Sequence, residues 1–203
     1  MLANRHLTSF QGQVKRVRRL LSRQLILLSE GLVPKSEIES IYELAFLKIF
    51  VSFENELYEL FKTNMLMKYD FHGHRRSLVT FENRSITDKI LLGSSKYVQL
   101  LPVEQLEKIA KVYLKDGIPF TCLNANSKRG VSQGHIIRNH IAHRSEQSKI
   151  KYKKFVLDSV TLPKNSSVPG YYLSSQQTRT VTYFDHHVAE IGACLRMLCE
   201  RTA

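Results

Sequence analysis

The sequence predicts an all-α fold, an antiparallel helical bundle organised around one long central helix. Gly and Pro are sparse, 9 and 5 in 203 residues, too few for the frequent tight turns of an all-β chain. Residues 36–67 contain neither, and their apolar positions recur at steps of three and four. The same spacing returns near both ends of the chain and in segment 103–115. Hydrophobic residues make up 43% and charged residues 24%, so collagen-like and wholly disordered chains are excluded. A chain of 203 residues is expected to form a single domain, 1–203.

Residues 8–30 read as the first helix, within a basic N-terminal helix or arm over 1–31. Val14, Val17, Leu21, Leu25 and Leu28 carry the spacing, and Gly31 and Pro34 end it. Lys15, Arg16, Arg18, Arg19 and Arg23 fall between them, as a solvated face or as a track for a phosphate backbone. The core helices, including the most informative one, are expected within 36–149. Ser36-Glu37-Ile38-Glu39 has the capping-box pattern and opens the long helix. Its stripe is Ile38, Tyr42, Ala45, Phe46, Ile49, Phe53, Leu57 and Leu60, widened by Leu47, Phe50 and Phe61, as suits the spine of a bundle. His72, His74, Arg75 and Arg76 crowd around Gly73. A short helix is predicted over 85–92 and another over 103–115, closed by Gly117 and Pro119. Residues 128–149 read as one helix. Residues 150–183 read as a mostly irregular excursion broken by Pro163, Pro169 and Gly170. Within it, 155–157 and 180–183 are expected to pair as a short β-hairpin. Val188, Ile191, Leu195 and Leu198 return to helical spacing over 184–201.

Lys and Arg number 30 against 18 Asp and Glu, a formal net charge of +12. Such a balance favours a polyanionic partner, nucleic acid or an anionic membrane surface. No apolar stretch approaches the ~18–20 residues that span a bilayer, and the start of the chain does not lead into a signal-peptide core. Cys122, Cys194 and Cys199 form no Cys-x-x-Cys pair. A reduced, cytoplasmic protein without a membrane partner is expected, with Cys194 and Cys199 as small core residues.

The chemistry concentrates in 134–145, Gly-His-Ile-Ile-Arg-Asn-His-Ile-Ala-His-Arg-Ser. At ~100° per residue from His135, Arg138 falls near −60°, Asn139 near +40° and His143 near +80°. Ala142 lies between Arg138 and His143, while Ile137 and Ile141 point the opposite way, near ~200° and ~240°. One face is therefore core and the other a row of guanidinium, amide and imidazole. Such a row can cleave RNA without a metal. An imidazole with an ordinary pKa near ~6.5 can accept the 2′-hydroxyl proton or supply one to the leaving 5′-oxygen. A guanidinium stabilises the extra charge of the phosphorane. A polar helix face is more often structural, so this row alone does not decide the matter.

The Arg138-Asn139 pair followed by His143, inside IIRNHIAHRS, resembles the Arg-x4-His signature of the HEPN superfamily (higher eukaryotes and prokaryotes nucleotide-binding domain), in particular stand-alone prokaryotic proteins of the RiboL-PSP kind. AFLKIFVSFENELYELF resembles that family's first core helix with its embedded acid, and LPVEQLEKIAKVYLKDGIPF the segment before its motif helix. The resemblance covers roughly 36–200. It implies a helical bundle that pairs as a homodimer, with a metal-independent endoribonuclease site in the dimer cleft and no cofactor. Arg138 and His143 match the catalytic pair, and Asn139 the polar residue after the Arg. Many such proteins are toxins or phage-defence effectors, which implies an antitoxin or defence-system partner. One subgroup carries a modified Tyr two residues past the His; Ser145 stands there, so that regulation is not expected.

Glu54 shares an arc with Phe50, Leu57 and Phe61. It reads either as a satisfied shoulder residue or, with the family's acid in mind, as a salt-bridge partner that fixes Arg138. His135, His140, Arg144, Lys15, Arg16, Arg19, Arg75 and Arg76 are the RNA-binding candidates. Metal ligation by His140 with His143, or by His72 with His74, lacks a completing Cys or carboxylate. No P-loop or dinucleotide fingerprint is present. Tyr171 and Tyr172 offer faces to bases, although aromatics at a loop edge are usually packing. Two other classes use the same features: a non-catalytic RNA- or nucleotide-binding module, and a helical dimerisation subunit whose segment 8–30 docks a partner.

Overall fold

The first two helices are long, amphipathic and joined by a short turn, so they fold back on each other. A computed structural model of the chain describes residues 2–69, 75–79, 81, 83–92, 100–158, 160 and 168–202. The fold is all-α. Its helices are α1 Leu2–Ser29, α2 Lys35–Leu66, α3 Arg84–Leu92, α4 Val103–Tyr113, α5 Ala125–His143, α6 Glu146–Tyr152, α7 Pro169–Ser174 and α8 Tyr183–Glu200. Two 3-10 turns, Lys115–Gly117 and Phe120–Cys122, lead from α4 to α5, and a π-helical turn, Lys153–Leu157, follows α6. Among the described residues β pairing is limited to isolated bridges, and no helix is long and apolar enough to cross a membrane.

Gly31 at φ +72° makes the turn between α1 and α2, where the Leu32 N–H reaches back to the Leu27 carbonyl at 2.9 Å. The hairpin is antiparallel, since His6 near the start of α1 meets Glu56 late in α2, Nδ1 to Oε2 2.8 Å. The predicted capping box does not form. Pro34 occupies the N-cap position, so Ser36 lies inside the first turn, where its carbonyl accepts from the Ser40 hydroxyl. Phe46, Ile49, Phe50, Phe53, Leu57, Leu60 and Phe61 of α2 are fully buried with Ile137 of α5 and Ile191, Leu195 and Leu198 of α8. Phe46, Phe50 and Phe53 form a ladder of rings at 6.0 and 5.7 Å, and Phe10 of α1 joins it at 6.3 Å. α2 is the spine that its stripe predicts.

The single helix predicted over 128–149 is two. Asn124 starts α5 by accepting from the Ser127 N–H at 2.8 Å. Arg144 then takes a left-handed conformation, φ 47°, and Ser145 caps α6 by accepting from the Ser148 N–H at 3.2 Å. A left-handed non-Gly residue costs roughly 1–2 kcal/mol. Here the Arg144 guanidinium reaches the buried Glu43 carboxylate, which offsets that cost. The expected hairpin within 150–183 is also absent. Residues 155–157 lie in the π-helical turn, where Tyr152 and Val156 are buried and hold the segment helical. Thr182 bridges Gln176 instead, and Tyr183 already belongs to α8. α7 lies so close to α2 that a Cβ at Gly170 would sit 2.2 Å from the Glu39 carbonyl oxygen. The Gly170 N–H donates to Glu43 Oε1 at 3.1 Å.

Candidate functional site

α5 can approach α2 closely because Gly134 has no side chain; a Cβ there would stand 2.8 Å from Phe50 Cε2. The close crossing lays the His135 ring against Phe50, centroids 6.3 Å apart and planes within 21°. It also brings Arg138 to Glu54, Nη2 to Oε2 3.5 Å, both side chains about a quarter exposed at 26% and 27%. Burial raises the Glu54 carboxyl above its ordinary range, while Arg138 pulls it down. The other guanidinium arm, Arg138 Nη1, donates to Asn139 Oδ1 at 2.9 Å. Asn139 Nδ2 in turn lies 3.0 Å from His135 Nε2.

These contacts form one chain, Glu54–Arg138–Asn139–His135, reaching from α2 along α5. Its polarity is consistent throughout. Since Asn139 Oδ1 accepts from the cation, its amide nitrogen must donate, so His135 Nε2 must accept and the ring must be neutral. The surroundings enforce that state: burial first, then Arg138, then Lys151 hold the His135 imidazole down at about 4. His135 thus positions Asn139 and is unsuited to carry a proton at neutral pH. The guanidinium is clamped on both sides before any substrate arrives, although its Nε is buried and makes no hydrogen bond.

His143 is the last residue of α5, exposed, and its side chain bonds to no other described residue. It lies five positions beyond Arg138, a turn of ~140° and a rise of ~7.5 Å. It is thus on the same open side of the helix as Asn139 but outside the clamped network.

Several other sequence-predicted site residues have structural duties. His140 is buried, its Nδ1 3.0 Å from the Ser148 hydroxyl and its ring stacked on Tyr152 at 5.0 Å. Burial lowers its pKa, Arg144 adding to the effect, and it joins α5 to α6 instead of facing RNA. Arg144 is the left-handed residue paired with Glu43. Arg76 is buried and donates to Asn64 Oδ1, the Thr202 carbonyl and the Arg201 carbonyl, at 3.0, 2.8 and 2.8 Å. It fastens the end of α8 and is not available to a phosphate. Arg75 is exposed and donates to the Ser77 and Leu78 carbonyls. Tyr172 is packing: its hydroxyl meets His187 Nε2 at 2.8 Å and its ring stacks on Tyr183. His72 and His74 lie outside the described residues.

The basic face of α1 is solvent-exposed at Lys15, Arg16 and Arg19. Arg16 binds Gln13 Oε1 along its own helix. With Arg19, Arg23 and Lys48 it lines a groove of about 280 Å³ between α1 and α2. Lys15 borders a second groove, about 570 Å³, between α1 and α8, beside Arg18 and Arg196. Cys194 and Cys199 are buried, their thiols pushed up to about 12 and about 11. Among the described residues no three His, Cys, Asp or Glu side chains gather as metal ligands.

The sequence does not single out Glu43, whose buried carboxylate meets Arg144 and the Gly170 N–H, both more than a hundred residues away in the chain. Comparison of the chain with protein-family models, with curated protein sequences and with solved structures finds no match.

Proposed function

We propose that the chain is a metal-independent endoribonuclease of the Arg-x4-His HEPN type, acting as a homodimer in the cytoplasm as a toxin or phage-defence effector. The observation that carries this reading is the Arg138 guanidinium clamped between Glu54 and Asn139, with His143 exposed farther along the same helix. A fixed, permanently charged fork is what a phosphorane requires, because it need not reorganise as charge develops. His143 takes the proton from the 2′-hydroxyl. The 2′-oxygen attacks phosphorus, the bond to the 5′-oxygen breaks, and the leaving oxygen takes up a proton. The products are a 2′,3′-cyclic phosphate and a 5′-hydroxyl. Two proton transfers call for two imidazoles, yet His135 is held neutral by its neighbours. A second His143 across a two-fold axis supplies the other, which is the chemical reason for a dimer.

The test is cleavage of total RNA in excess EDTA, with the mass in solution measured by light scattering. His143→Ala should abolish cleavage and leave RNA binding nearly intact. Arg138→Ala should slow cleavage by about 10²–10³, and Arg138→Lys should rescue little, since a point charge does not reproduce the planar fork. A 2′-deoxyribose at the cut site should block the reaction. Cleavage of that deoxy substrate, dependence on Mg²⁺, or full activity from a monomer would each defeat the mechanism. RNA binding without cleavage would select a binding module instead.

A further inference from the structure

We propose that residues 151–155 form a second wall of the RNA site, in which Phe155 stacks on an unpaired nucleobase and Lys151 and Lys154 hold the adjoining phosphates. The proposal rests on the RNA reading above and narrows it to single-stranded RNA.

The geometry begins with the π-helical turn. Its wide register buries Tyr152 and Val156, each 1% exposed, and turns Phe155 outward at 49%. Phe155 is the only exposed phenylalanine among the described residues. Nothing in the core accounts for a large apolar ring at that position, whereas a flat partner would. The turn is fastened to the motif helix, because Gln133 Nε2 donates to the Phe155 carbonyl at 3.0 Å, two residues ahead of His135. The wall and the Arg138 network are therefore carried by the same rigid helix.

Charge points the same way. Lys149 pairs with Glu146, but Lys151, Lys153 and Lys154 are exposed and form no ion pair among the described residues. Lys154 Nζ sits 5.2 Å from the centre of the Phe155 ring, so a cation and a stacking face are presented together. Lys151 is near enough to His135 to help keep that ring uncharged. Aromatic faces flanked by cations bind single strands with little sequence preference, because every base has a π-face and only an unpaired base can leave its neighbours. A duplex offers its phosphates but not its bases.

The test uses the full chain carrying His143→Ala, in EDTA, so that the RNA stays whole. The probe is a short single-stranded ribo-oligonucleotide containing 2-aminopurine, with the matching duplex as comparison. Binding should quench the probe. Phe155→Ala should weaken single-strand affinity by about tenfold to a hundredfold and remove the quench, while Phe155→Trp restores both. Lys151→Ala and Lys154→Ala should each reduce the slope of log affinity against log salt by ~0.7. Unchanged affinity and quench in Phe155→Ala would overturn the proposal. So would a fall in solution mass with RNA affinity intact, which would make the ring a contact between two copies of the chain. If the wild-type protein binds the single strand through Phe155 but cuts nothing, the nuclease reading fails and the wall stands. If it binds no RNA, both fail.

Discussion

Two helix-interior glycines, Gly12 and Gly134, allow the close crossing that builds the site to be measured against an internal control. A glycine inside a helix costs about 0.8–1.0 kcal/mol relative to alanine. At Gly12 an added Cβ meets nothing within 4 Å, so Gly12→Ala should return the whole of that cost as stability. At Gly134 the same methyl would stand 2.8 Å from Phe50 Cε2, 3.2 Å from Ile191 Cδ1 and 3.3 Å from Phe50 Cδ2. Phe50 is 0% exposed and held by Phe46 and Phe53, so its ring cannot swing away. Overpacking of this kind costs about 1–3 kcal/mol. Gly134→Ala should therefore be a net loss of about 1 kcal/mol, and the two variants should differ by about 2 kcal/mol. For a chain of this size each kcal/mol moves Tm by ~2–4 °C, so thermal unfolding followed by circular dichroism should separate them by ~4–8 °C. RNA cleavage, read where both are folded, should fall only in Gly134→Ala, because displacing Phe50 displaces the His135 ring and the Asn139 amide behind it. Equal stabilisation by the two substitutions would refute the close α2–α5 crossing and the geometry of Arg138 with it.

Acid should weaken the fold through buried imidazoles. His187 is 1% exposed, and burial holds it down at about 3. The unfolded chain binds that proton below ~6.5 and the native chain does not, so stability falls as pH drops from ~6.5 toward 3, by up to ~1.4 kcal/mol per unit. Urea unfolding at pH 7 and pH 5 should show the loss, with His135 acting in the same direction. His187→Gln, which keeps a partner for the Tyr172 hydroxyl, should flatten the slope, and an unaltered slope would contradict the assignment. Arg76→Met should cost about 1–3 kcal/mol or more in denaturant unfolding, because it leaves the Arg201 and Thr202 carbonyls without the donor that satisfies them. RNA affinity of the folded fraction should not change. A specific loss of affinity would return Arg76 to the binding surface.

α2 is legible in the sequence because no Gly or Pro interrupts it and its apolar stripe is broad enough to name the buried face. The motif helix is legible because Ile137 and Ile141 mark a buried side away from His135 and Asn139, although its end at His143 is not, and the Glu54–Arg138 pair is one of the two readings that the sequence leaves open. What fails is whatever depends on a distant partner. Arg144 looks like one more cation until Glu43, far away in the chain, draws it into the helix break. Arg76 looks like part of a basic loop until the end of α8 closes over it. His140 sits on the motif helix, but Tyr152 and Ser148 enclose it. Residues 155–157 are apolar and short, the case in which a strand and a buried helical turn cannot be told apart by periodicity. Tyr152 and Val156, four residues apart and both buried, decide it in favour of the turn.

The same distinction between spent and unspent cations applies to the rest of the described surface. Arg18 is paired with Asp185, Lys62 with Glu59 and Asp88, Lys128 with Glu107, and Arg144 with Glu43. Exposed cations without a carboxylate partner among the described residues include Lys15, Arg16, Arg19 and Arg23 of α1 and Lys151, Lys153 and Lys154 after α6, with others spread over α3, α4 and α8, such as Lys89, Lys108, Lys111 and Arg196. α2 lies between α1 and the motif helix, and its own residues show how the two basic regions are joined. Glu54 faces Arg138, whereas Glu56, ~200° further round, faces His6 of α1. Lys48 falls ~120° from Glu54, between those two directions, and is exposed and borders the α1 groove. A strand seated on the Arg138 network can therefore continue over α2 past Lys48 to Arg16, Arg19 and Arg23 without crossing an acidic surface of those residues.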